Sequence, residues 1–374
     1  MIDLGMNRVT FLRAAIGGFA LAAASNGSAA AAAASGPRMR GGVTYDTGVL
    51  HFPGEPLSRV RWDRTLMEQE IRAIRKDMRC DSIVVFGSEI GRLTETTAVA
   101  LQRNLRVFVQ PRLYDHPQRE ILDHLAETAR EAEQLRRHCG IRLTLVVGCE
   151  FLLFTPGIVP GVNFLERIQN LQKMPPEEYP ALRKRLEDYM RRAVSVARAN
   201  FHGRITYGAT TGEPVDWSLF DIVGLDYYEY FREQEEYSKD LARYRKWGKP
   251  ITILEFGSCT YTGAPERGGM GWDGVIDWEV VPPQVKDAYV RDERAQADHI
   301  ARMLRIFERE TLMGAHVYTF ISPDSPHSPI RELDLDIASY SLAKVIRENY
   351  EDPESSYRWE PKEAFHALKR HNCR

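Results

Sequence analysis

PITILEF, residues 250–256, is an apolar, β-branched run that closes on a glutamate and an aromatic, with Gly257 next. An ionised carboxylate in a dry interior costs several kcal/mol unless it is paired, so Glu255 is either neutralised or employed. Seven more runs of this kind follow the same beat: GGVTYDTG (41–48), DSIVVFGS (81–88), LRVFVQPR (105–112), RLTLVVGCE (142–150), RITYGATT (204–211), DIVGLDYY (221–228) and AHVYTFIS (315–322). Good helix formers fill the intervals at 64–79, 94–102, 117–139, 176–200, 234–247 and 292–312. The link at 212–220 is too short for more than about one helical turn. Strands that are apolar throughout, alternating with helices, predict a parallel sheet covered on the outside. Eight of them in about 280 residues predict an α/β fold of the closed (β/α)8 kind, a TIM barrel, over an open doubly wound sheet. No Gly-x-Gly-x-x-Gly follows the first strand, which lowers the dinucleotide-binding alternative. Residues 333–350 and 361–369 are predicted as closing helices, with EDPESSYRWEP (351–361) a surface loop between them.

Hydrophobic residues make up 43% of the chain and charged residues 27%, enough apolar material for one large core, and the net charge is −2. That balance argues against nucleic acid or an anionic membrane as partner. Residues 1–35 differ in kind: Arg8 and Arg13 precede an apolar stretch at about 14–24 and then small residues with Ala-x-Ala choices, which reads as a cleaved export signal. The stretch is short for a membrane span, so a periplasmic or extracellular protein without stable membrane association is expected. Residues 36–374 are read as one barrel domain with its closing helices, and composition assigns no oligomeric state. The five cysteines include no C-x-x-C pair, and the first strand offers Tyr45 and Asp46 where metal-dependent barrels carry His-x-His. Neither a metal nor a cofactor is therefore expected.

Catalytic residues of such barrels sit at the C-terminal strand ends. Those ends collect Tyr45 and Asp46, Ser88 and Glu89, Arg112, Tyr114 and Asp115, Glu150, Glu213 after strand 5, Asp226, Tyr227 and Tyr228, Glu255, and then Tyr318, Phe320 and Ser322. Glu150 and Glu255 close strands 4 and 7, which face each other across the mouth. Paired carboxylates suit glycosidic bond cleavage, one donating a proton to the leaving oxygen and the other attacking the anomeric carbon. Asp46 and Asp115 read as solvated loop ends, and Glu213 is a rival acid, although GEPVDW (212–217) reads as a turn into a short helix, where a glutamate is ordinary.

ITILEFG, with the strand order above, resembles the nucleophile strand of clan A glycoside hydrolases, whose acid/base glutamate ends strand 4 and whose nucleophile ends strand 7. The resemblance covers about residues 41–323 and implies Glu255 as nucleophile, Glu150 as acid/base, retention of configuration and carboxyl groups about 5 to 5.5 Å apart. It also implies a carbohydrate substrate. In that family the acid/base usually follows an asparagine that binds the sugar 2-hydroxyl. Here GCE places Cys149 there, a poor donor. Tyr228 is the expected phenolic partner of the nucleophile, with Tyr227 and Asp226 competing for the role. Arg112 is expected to pair a carboxylate or touch the ligand, with Tyr318 beside the ligand and Trp272, on the loop after strand 7, as a sugar platform or the apolar pin of its loop. Two other readings stand beside this one: a barrel that binds carbohydrate or an envelope component without cleaving it, and acid/base chemistry on a non-sugar substrate.

Overall fold

The computed structural model describes residues 39–51 and 54–374, and the export-signal reading of residues 1–35 falls outside them. Eight parallel strands close a barrel in chain order: β1 (Gly41–Asp46), β2 (Ser82–Gly87), β3 (Arg106–Pro111), β4 (Leu143–Cys149), β5 (Arg204–Thr210), β6 (Val223–Asp226), β7 (Ile251–Phe256) and β8 (Gly314–Val317). The helices are α1 (Arg64–Lys76), α2 (Ile90–Gln102), α3 (Gln118–Cys139), α4 (Phe151–Phe154), α5 (Phe164–Lys173), α6 (Tyr179–Asn200), α7 (Gln234–Arg245), α8 (Glu293–Arg309) and α9 (Glu363–Asn372). No described helix is long and apolar enough to cross a membrane.

Each strand feeds two cores. Outward residues such as Ile83, Val85, Leu145, Ile253 and Phe256 pack under the helices, whereas Val84, Phe108, Val146, Ile222 and Leu254 fill the barrel itself. That double burial is why the strands read as apolar runs. His316 plugs the same interior, with its ring nitrogens 2.7 Å from the Ile253 carbonyl and 3.0 Å from Ser82 Oγ.

The C-terminal third departs from expectation. Residues 333–350 form no closing helix: two 3₁₀ turns lead into Ala343–Arg347, which pairs antiparallel with Tyr357–Pro361, so the supposed surface loop holds a hairpin strand. Helix α9 is the closing helix that forms. The cause is tertiary. Asp336 is buried against Lys362 Nζ at 2.8 Å and Arg291 at 2.9 Å, and Arg291 also holds Asp334 at 2.9 Å. This ion network ties the loop after β7 to the hairpin and overrides helix propensity. Breaking a buried pair from one side costs about 3–5 kcal/mol. Lys362→Met is expected near the lower end, at about 3 kcal/mol in a urea titration, because Arg291 still faces Asp336.

Candidate active site

Period-two alternation carries Gln110 and Arg112 from β3, and Asp226 and Tyr228 from β6, into the barrel mouth. On β4 and β7 alternation alone would fail. Between β6 and β7 the register runs Leu225 to Ile253 and then Asp226 to Glu255, and between β8 and β7 Ala315 to Ile253 and then Val317 to Phe256. Strand β7 therefore holds one extra residue against both neighbours, and Leu254 and Glu255 both turn inward. Strand β4 has the same irregularity, Val146 pairing with Thr206 and Cys149 with Gly208. Such bulges re-aim side chains next to functional sites.

Glu255 is 7% exposed. The Arg112 guanidinium pairs with its Oε1, and the Tyr228 hydroxyl donates to its Oε2 at 3.0 Å. Arg112 is itself built in: it donates to Gln110 Oε1 at 2.6 and 3.0 Å, lies 3.8 Å over the Phe86 ring, and its carbonyl accepts from Ser88 Oγ at 2.6 Å. The anion is thus compensated and oriented by residues from β2, β3 and β6.

Beneath this pair lie Asp226 and Cys149, both buried, with the thiol donating to Asp226 Oδ2 at 3.5 Å. Burial pushes the Asp226 carboxyl well up, and the carboxylates of Glu255 and Glu150 push it further. Burial likewise holds the Cys149 thiol up. A side chain on Gly208 would place its Cβ 2.8 Å from Asp226 Oδ2, so a glycine is needed there for Asp226 to fit.

Glu150 ends β4 in left-handed backbone, φ 39 and ψ 59, with its amide on the Gly208 carbonyl at 2.8 Å. A non-glycine residue held so costs about 1 kcal/mol or more and is a device of functional sites. Its position depends on α4, whose first amide, from Phe151, donates to the Tyr207 hydroxyl at 2.5 Å. That hydroxyl donates in turn to Glu213 Oε1 at 2.7 Å. Glu213 is therefore no ordinary turn residue. Its carboxyl is pushed up to about 8 by burial, against the Tyr207 hydrogen bond and with help from Glu150's charge. A carboxyl raised from 4.5 to about 8 contributes full stability below pH 4.5, and up to about 1.4 kcal/mol is lost per unit as pH climbs through that window. Glu213→Gln should flatten this decline when denaturant unfolding is compared at pH 5 and pH 8.

Other expected residues separate. Tyr227 faces the helices, where its hydroxyl meets Asp240 at 3.0 Å and its ring packs on Phe307, so it is not on the pocket face. Tyr45 also points outward, to Glu70 on α1. Asp115 is not solvated: its side chain is 1% exposed and paired with buried Arg167. Asp46 is enclosed too, accepting from Gly48 at 2.7 Å and Ser58 at 2.6 Å. Tyr318 stacks on Phe86 with centroids 5.6 Å apart, beside Arg112. Trp272 is half-buried against the loop cluster of Cys259, Tyr261, Val275 and Tyr340, which Tyr228 and Tyr318 also join. Gln110 was missed by the strand-end survey, because it lies two residues below Arg112, and only the inward alternation of β3 could have pointed to it.

Among the described residues the fold assembles two donor groups the sequence does not show: Cys149, Asp226 and Glu255, and separately His327, Asp334 and Asp336.

No family model and no curated protein matches the chain. Among solved structures it is similar to a GH113 β-1,4-mannanase, at 13% identity and a TM-score of 0.57 over 90% of this chain and 99% of that one. The GH113 β-mannanase AaManA from Alicyclobacillus acidocaldarius, in complex with ManMIm, aligns at 13% identity and a TM-score of 0.52 over 91% and 98%. A β-glucuronidase from Ruminococcus gnavus aligns at 11% identity and a TM-score of 0.52 over 90% of this chain and 49% of that one. At such identities the likeness is one of fold, and it agrees with the closed eight-stranded barrel described above.

Proposed function

We propose that this chain is a retaining glycoside hydrolase in which Glu255 attacks the anomeric carbon and Glu150 serves as acid and then base. The observation that carries the reading is Glu255 itself, a buried carboxylate turned into the mouth by a bulge and held by Arg112 and Tyr228. Arg112 compensates its charge before reaction, and the Tyr228 hydroxyl orients Oε2 for in-line attack. Glu150 stands at the end of β4, three strands round the barrel from β7, and would protonate the leaving oxygen and then activate water against the glycosyl-enzyme. Carbohydrate is thus the proposed substrate class. The neighbouring folds are named for β-mannan and β-glucuronide cleavage, so β-linked sugars head the list. The export-like N-terminus would place the reaction outside the cytoplasm.

A 2-deoxy-2-fluoro glycoside panel, β-mannoside and β-glucuronide included, tests this by trapping. The expected result is a single covalent adduct on the peptide bearing Glu255. An adduct elsewhere, or no adduct and no turnover across the panel, overturns it. Acid/base chemistry on a non-sugar substrate is the second reading, favoured by Cys149 in the asparagine position and by the raised carboxyls of Asp226 and Glu213.

A further inference from the structure

Cys149 Sγ and carboxylate oxygens of Asp226 and Glu255 lie within 4.8 Å of one another, and all three residues are buried. They stand on β4, β6 and β7, positioned by barrel hydrogen bonding rather than by loops. Asp226 Oδ1 is buried without a hydrogen-bond partner, so the trio retains acceptor capacity that the protein leaves unused. Arg112 occupies Glu255 Oε1, and Oε2, which accepts one hydrogen bond from Tyr228, keeps a second lone pair for a new ligand. We propose that Cys149, Asp226 and Glu255 bind a thiophilic divalent cation of the zinc and cobalt class, and that the bound cation shuts the site.

A thiolate beside two carboxylates suits zinc or cobalt and selects against magnesium and calcium, which take oxygen alone. Three protein ligands leave a fourth position for water. Loading replaces the thiol proton and any proton on Asp226 with the cation, and those protons leave to solvent. Charge then closes: the cation and Arg112 carry three positive charges against three anions. The guanidinium beside the cation keeps affinity below that of a closed structural zinc site. The other donor group, His327, Asp334 and Asp336, is unsuited, because Arg291 and Lys362 already occupy its carboxylates.

Inhibition rests on the glycosidase reading, since a cation on Glu255 removes the lone pair that would attack the sugar; binding does not. The test titrates chelator-treated protein with Co²⁺ and Zn²⁺, in a Cys139→Ser, Cys373→Ser background that removes Cys139 and the exposed thiol among the described cysteines. One equivalent of Co²⁺ should bring a near-ultraviolet thiolate-to-cobalt absorption. Cys149→Ala should abolish it and weaken Zn²⁺ binding at least tenfold, and Asp226→Asn should weaken binding without removing the absorption. An absent absorption in the parent protein, or Zn²⁺ binding unchanged in Cys149→Ala, overturns the site. If turnover is found, Zn²⁺ should inhibit it reversibly and Cys149→Ala should relieve the inhibition. If no form cleaves a glycoside, the glycosidase reading fails, and the cobalt spectrum still decides the metal site.

Discussion

Glu255→Gln should lower kcat by roughly 10³-fold or more on every glycoside cleaved, because an amide cannot form the glycosyl-enzyme. The amide keeps the shape of the side chain and still accepts from Tyr228, so substrate binding should change far less than kcat. Arg112 loses its counter-charge in this variant, and circular dichroism must confirm the fold before kinetics are read. Glu255→Ala supplies a second arm: with azide it should regain turnover and release a glycosyl azide of inverted configuration. Activity within tenfold of the parent would make Glu255 only the structural partner of Arg112.

Loss at Glu150 should depend on the leaving group. Proton donation contributes about 10²–10⁴-fold, and it matters most where the departing oxygen is a poor leaving group. Glu150→Gln should therefore fall in that range on alkyl glycosides or oligosaccharides and much less on nitrophenyl glycosides, and the alkaline limb of its pH profile should flatten. Glu213 is the competitor, since its carboxyl holds a proton up to about pH 8 and stands one tyrosine away. Should Glu213→Gln show the leaving-group dependence and Glu150→Gln show none, the acid is Glu213, and Glu150 only shapes the mouth.

Much of the candidate site's geometry was legible because barrel strands are regular. PITILEF and its seven counterparts are buried on both faces, which makes them continuous apolar runs, and their count closes the barrel. Knowing which ends face the mouth follows from parallel topology, so Arg112, Asp226, Tyr228 and Glu255 could be collected from strand ends alone. Tyr227 competed with Tyr228 for the carboxylate from sequence, and β6 separates them by turning Tyr228 inward to Glu255 and Tyr227 outward to Asp240. Asp115 was misread as solvated because Arg167, which pairs with it, is 52 residues away, and Glu213 was misread as an ordinary turn residue because a local turn pattern does not show that Tyr207, only six residues before it, points its hydroxyl at the buried carboxyl. The hairpin at 343–361 was missed for a similar reason: Lys362 and Arg291 decide it, and no local pattern announces a buried ion network.

From its sequence alone this protein is an eight-stranded parallel barrel with acidic and aromatic residues gathered at one rim, since burial on both faces and strand–helix alternation are written into local composition. The sequence placed Glu255 at a strand end by the mouth; the tertiary structure alone supplied the bulges that turn Glu255 and Cys149 inward. Each lies on a strand with one residue more than its neighbour supplies, and register belongs to a pair of strands, so neither sequence contains it by itself.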